Sequence, residues 1–265
     1  MFSQNLRQNR RLPSAIRTPL LLACAVLAAC TPLPPAPAPP APASMPAPAW
    51  QQRGIQALRI VPQASLLTIT VRRGGALARL GHDHVVASRT LQGVVAPALG
   101  RAQFQFRLDE MSVDEDGLRQ AAGLTTTPSA EAIAGTRHNM LARVLDAERY
   151  PWVRVDARRI DARRTGNGEV LDADITLHGV TRSVTVPVRL SEAADGRRLQ
   201  ASGSLLLKQS DFGIVPFAIL GGAMAVQDQM ELAFSITATT DGVAAAGAGS
   251  QALPSAPGAG ASPGR

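Results

Sequence analysis

An alternation of apolar and polar residues with period two, repeated in seven runs, most constrains what this chain can fold into. Leu67, Ile69 and Val71 alternate with Thr68, Thr70 and Arg72; Phe104, Phe106 and Leu108 alternate with Gln105 and Arg107. The same holds for Val153–Ala157, Leu171–Leu177, Val184–Leu190, Leu199–Leu207 and Leu232–Ala238. Successive side chains of a strand point to opposite faces, so each run predicts a strand with one apolar and one wet face. Turn residues separate several of them, as at Gly166-Asn167-Gly168 and Asp195-Gly196. One stretch breaks the period. Thr127-Pro128-Ser129-Ala130-Glu131 predicts a helix start, and Ile133, Met140, Leu141 and Val144 then share one helical face up to Tyr150-Pro151. A shorter helix is expected near Gly117 to Ala122. The sum is an all-β domain of roughly eight antiparallel strands with a helical insertion. A sheet of that size closes into a barrel or sandwich to remove its edges. Eight strands leave room for side chains or one small ligand.

The rest of the chain is not of this kind. Arg7, Arg10, Arg11 and Arg17 precede a short apolar run, Leu20 to Ala29, which predicts an export signal over residues 1–29. Its end, Leu27-Ala28-Ala29-Cys30, resembles a bacterial lipobox, in which the cysteine is lipidated. Residues 30–56 then form a Pro/Ala-rich tether, 57–240 the barrel domain, and 241–265 a Gly/Ala/Pro tail. Tether and tail have too little apolar mass to offset ordering entropy and are expected to be disordered. Removing the four signal arginines takes the formal net charge from +7 to about +3, so the high pI argues for no nucleic-acid partner. Both cysteines, Cys24 and Cys30, lie in the export segment. The mature domain therefore has no disulfide, thiolate metal site or cysteine nucleophile. The expected location is the periplasmic side of a bacterial membrane. Thr31, in place of Asp after Cys30, favours the outer membrane by resemblance to lipoprotein sorting in enteric bacteria.

Three segments in order carry a family resemblance: "RHNMLARVLDAERYPWVRVDARRI", "LDADITLHGVTRSVTVPVRL", and "KQSDFGI" followed by "GGAMAVQDQMELAFSITA". Together they resemble the YceI-like family of bacterial periplasmic proteins, over about Leu58 to Thr239. The resemblance implies an extended, lipocalin-like, eight-stranded antiparallel barrel holding a long apolar molecule such as a polyisoprenoid, quinone or fatty-acid-like chain. It implies no enzymatic activity and no cofactor beyond such a bound isoprenoid lipid or quinone. Candidate apolar lining residues are Phe104, Phe106, Val153 and Val155 on strands, with Phe212, Phe217 and Leu220 in a less regular apolar loop that either covers a barrel mouth or packs. The region "ARLGHDHVVASRTLQGVV" departs from the family pattern: Gly93 fits a family glycine, but Val95 replaces an aromatic residue and the histidine spacing differs.

The most chemical-looking stretch is "LGHDHVV", which holds two of the four histidines. On a regular strand His82 and His84 face the same way and can reach one Zn, Cu or Ni ion, while Asp83 points away. A site still needs a third ligand, and neither His138 nor His178 is placed near the pair by sequence. This leaves a metal- or redox-linked accessory protein as the alternative reading. Ser88 and Ser210 lack a G-x-S-x-G context. His178 reads as an exposed turn residue, and Asp109, Asp114, Glu115 and Asp116 as a solvated acidic loop. A homodimer is left open, through a strand edge or the helix face.

Overall fold

The computed structural model describes residues 48–50, 55–165 and 168–242. The export segment with Cys30, most of the tether, the Gly166-Asn167 turn and the tail beyond Gly242 lie outside the described residues. Twelve strand segments build eight staves. The first three staves are each bent into two segments: β1 (Leu58–Ile60) with β2 (Leu66–Gly74), β3 (His84–Ser88) with β4 (Gln92–Ala96), and β5 (Arg101–Arg107) with β6 (Ser112–Val113). The other five are β7 (Trp152–Thr165), β8 (Gly168–Leu177), β9 (Val180–Glu192), β10 (Arg198–Lys208) and β12 (Met224–Thr239), while the two-residue β11 (Ala218–Ile219) pairs with the start of β12. All pairings are antiparallel, and the ring closes where β12 meets the bent first stave: Glu231 pairs with Thr70 of β2, and Ala238 with Ile60 of β1. The protein is thus a closed eight-stranded antiparallel barrel, as the alternation predicts.

The bend in the first stave has a local cause. Pro62 opens a 3-10 turn that interrupts the ladder. Ser65 repairs it: its buried hydroxyl donates to the Val61 carbonyl at 2.8 Å and accepts from Thr237 N–H at 3.1 Å. No ladder group is therefore left buried without a partner at this point.

The inward faces are the apolar ones read from sequence. Leu67, Phe106, Val153, Val155, Ile175, Val186 and Leu199 all lie in one buried cluster. Two glycines shape its wall. A Cβ on Gly93 would sit 2.5 Å from Phe104 Cβ, and one on Gly203 would sit 2.7 Å from Phe234 Cζ. Each glycine faces its phenylalanine across a strand pair, so the missing Cβ is what admits the ring.

The insertion holds α1 (Asp116–Ala121) and α2 (Ala130–His138), the latter running on as a π-turn over Asn139–Val144. Ser129 caps α2 by accepting from Ala132 N–H at 3.2 Å. Ile133, Met140, Leu141 and Val144 pack against the barrel core, the same face that the helical period predicts.

Candidate functional site: a barrel cavity with a buried polar clamp

The barrel encloses a cavity of about 530 Å³ whose wall is almost wholly apolar. Phe104, Phe106, Val153, Val155 and Phe217 line it. Two other expected lining residues do not. Phe212 is completely buried, but in the packed core beside the cavity. Leu220 is 69% exposed to solvent, at a point where the backbone takes a left-handed turn.

Polar groups reach the cavity at its ends. At the end formed by the β4–β5 turn, the inward period switches from apolar to charged: Val155 and Ala157 lead to Arg159, Leu171 is preceded by Glu169, and Leu190 leads to Glu192. Arg159 and Glu169 lie 3.7 Å apart. The switch is visible in the sequence once the strand faces are known. At the other end, capped by α2 and its π-turn, the polar lining is His84, Thr136, Asn139 and Gln209.

His84 is held there by a buried clamp. Its Nδ1 lies 2.6 Å from Asp114 Oδ2. Asp114 Oδ1 also accepts from Val85 N–H at 3.0 Å and from Arg119 Nη1 at 2.5 Å. The Asp114 side chain is fully buried and that of Arg119 is 4% exposed. Arg119 spends its other donors on backbone and hydroxyl oxygens: Nη1 on the Asp83 carbonyl at 2.8 Å, Nε on the Thr126 carbonyl at 3.2 Å, and Nη2 on Thr126 Oγ1 at 3.1 Å. Burial is the largest influence on Asp114 and works against its charge. The hydrogen bonds from His84 and Val85 and the Arg119 contact together outweigh it, so the carboxyl is held below its ordinary range. Because that carboxylate accepts, Nδ1 carries the proton and His84 offers its Nε2 elsewhere.

The expected solvated acidic loop is therefore corrected at Asp114. Its backbone takes a left-handed φ of 56°, which aspartate tolerates better than most residues, and this turns the carboxylate inward. The His82–His84 geometry is corrected too. β3 begins at His84, so His82 precedes the strand, and the two rings are 6.2 Å apart and tilted by 56°. Asp83 does not project idly: its Oδ1 accepts from Arg73 N–H at 2.9 Å. Among the described residues no group of three or more His, Cys, Asp or Glu is placed to hold a metal ion. His178 is half-buried, its ring 4.8 Å from that of Tyr150. Sequence reasoning missed Arg119, since an arginine in a short polar helix carries no sign of burial.

A closed antiparallel barrel around an apolar cavity defines the lipocalin-like class of ligand-enclosing barrels. Within it, the model of the YceI-like domain matches residues 60–238, and the chain belongs to the YceI-like family. Among solved structures, it is similar to a polyisoprenoid binding domain from Saccharophagus degradans implicated in plant cell wall breakdown, with 16% identity, a TM-score of 0.46, and coverage of 70% of this chain and 98% of that one. BcnA of Burkholderia cenocepacia matches with 17% identity and a TM-score of 0.46 over 68% of this chain and 99% of that one. The Campylobacter jejuni YCEI protein matches with 14% identity and a TM-score of 0.38 over 56% of this chain and 80% of that one. No curated protein matches.

Proposed function

We propose that this protein is a lipid-anchored carrier on the periplasmic side of a bacterial membrane, the outer one favoured. It sequesters or transports a long apolar molecule of the polyisoprenoid, quinone or fatty-acid type. The observation that carries this reading is the cavity of about 530 Å³ with its apolar wall. That volume is within the range of about 300–1,000 Å³ typical of ligand pockets. Binding follows from burial of the chain, at about 0.8 kcal/mol per methylene removed from water. The polar ends of the cavity suit a head group. No bond-making chemistry is assigned to the site. The Pro-rich tether supports the anchoring half of the proposal, since at about 3.1 Å per residue it lets the barrel reach some tens of Å from the bilayer.

Organic extraction of the purified full chain, followed by mass spectrometry, tests the reading. A stoichiometric apolar molecule is expected. An extract without one, together with no uptake of added isoprenoid or quinone, would overturn it.

A further inference from the structure

Among the described residues, six large apolar side chains are exposed: Leu80, Leu99, Leu206, Val215, Ile219 and Leu220. Four of these six, Leu80, Val215, Ile219 and Leu220, sit on two loops at the helix-capped end of the barrel. The loops are joined: Leu77 N–H donates to the Ala223 carbonyl at 2.7 Å, and the backbone of Gly75 lies against Gly222 and Ala223. Between Phe212 and Met224 the chain carries no charged residue. Val215 is 81% exposed and Leu220 69%. Leu220 holds a left-handed φ of 52°, a strained conformation for leucine.

We infer that these two loops are a docking surface for an anionic phospholipid bilayer. Exposed apolar side chains grouped at one end mark an interaction surface rather than ordinary surface scatter. Two features select a bilayer as the occupant. The first is continuity with the interior: Phe217, on the same loop, lines the cavity, so an apolar molecule leaving the barrel beside it meets lipid rather than water. The second is charge complementarity. Arg79 precedes Leu80, and Arg143 lies over the Phe217 ring at 5.1 Å. Both are exposed, and neither pairs with a carboxylate among the described residues. Cations beside an inserted apolar loop are what lipid phosphates attract. The surface does not depend on which molecule the cavity holds.

The experiment uses the full chain with Cys24 and Cys30 changed to Ser, and one thiol introduced for an environment-sensitive fluorophore. One sample carries Val215→Cys. The control carries Ala194→Cys, in the exposed β9–β10 turn at the opposite end. Vesicles of phosphatidylcholine with 30% phosphatidylglycerol, and vesicles of pure phosphatidylcholine, are added with lipid-borne quenchers. The expected result is a blue shift and quenching at position 215, several-fold stronger on the anionic vesicles, with little change at 194. The effect should fall away in a Leu80→Asp/Leu220→Asp background whose circular dichroism is unchanged. Equal responses at 215 and 194, or no response at 215, would overturn the inference. So would self-quenching that rises with protein concentration without vesicles, which would indicate a second copy as the occupant. Lipid extraction reports on the cavity independently, so failure of one reading leaves the other measurable.

Discussion

The cavity wall and the clamp at its helix-capped end are built on opposite principles. The wall repeats one instruction, an apolar residue at every second position, across staves from β2 to β12. No single wall residue has a unique partner, and a lost methyl group is shared among many neighbours. The clamp uses His84, Asp114 and Arg119, drawn from a strand, the link between β6 and α1, and a helix, and each atom contact is specific. The wall should therefore tolerate change in place and the clamp should not. Arg119→Met is expected to have the largest effect. It leaves the Asp114 carboxylate buried without its cation, and removing one partner of a buried pair costs about 3–5 kcal/mol. Urea unfolding measures this directly. Arg119→Lys should rescue little, because one ammonium cannot reach Asp114, the Asp83 carbonyl and Thr126 together. A loss under about 1 kcal/mol for Arg119→Met would place the pair energetically with exposed ones and erase the contrast.

Gly203→Val tests one of the two places, with Gly93, where the wall does have a specific demand. The added atoms meet the Pro187 carbonyl and the Phe234 ring, and overpacking of this kind costs about 1–3 kcal/mol. A neutral result would show that the ring can move aside.

These contrasts also explain what could be read from the sequence. The wall was legible because periodicity is local: Leu171–Leu177 declares its face without knowing its neighbours. The helix start at Ser129 was legible for the same reason, since a cap acts within three residues. The clamp was not. Asp114 looked solvated because it stands beside Glu115 and Asp116, and only its left-handed backbone turns it in. Arg119 finds its carbonyl partners at Asp83 and Thr126, one of them 36 residues away. His82 and His84 misled because period two was extended one step past the start of β3. Leu220 and Phe212 misled because an apolar loop has no period to say which side is in.

Acid separates the two regions without altering the wall. The Asp114 carboxyl is depressed in the folded state, so it contributes stability that is fully present above the ordinary carboxylate value of about 4 and is lost as pH falls through the lower folded value. Asp114→Asn should cost about 1–3 kcal/mol at neutral pH. That deficit should shrink as the pH is taken below about 4, because the wild type then loses the same charged contacts. Unfolding curves for both proteins across this range show it. A deficit that stays constant down to strong acid would mean that the charge on Asp114 is not what stabilises the clamp.

The smallest expected change in stability is also the sharpest test of the wall. Ala201 sits in β10 between Leu190 of β9 and Ile236 of β12, and all three line the cavity. In a filled core, Ala201→Phe would force its neighbours aside and cost about 1–3 kcal/mol. Projecting into a ligand cavity, the new ring instead covers apolar wall and gains contacts, so unfolding free energy should move by less than about 1 kcal/mol. Binding should respond in the opposite way. The ring enters the cavity beside Leu190, one inward position from Glu192 at the charged end, so a long chain can no longer extend to that end. Extracts of Ala201→Phe should hold little or no apolar ligand while the urea midpoint stays close to wild type. A destabilised variant that still carries its ligand would reverse the assignment, making this stretch of wall packed core and moving the binding space elsewhere in the barrel.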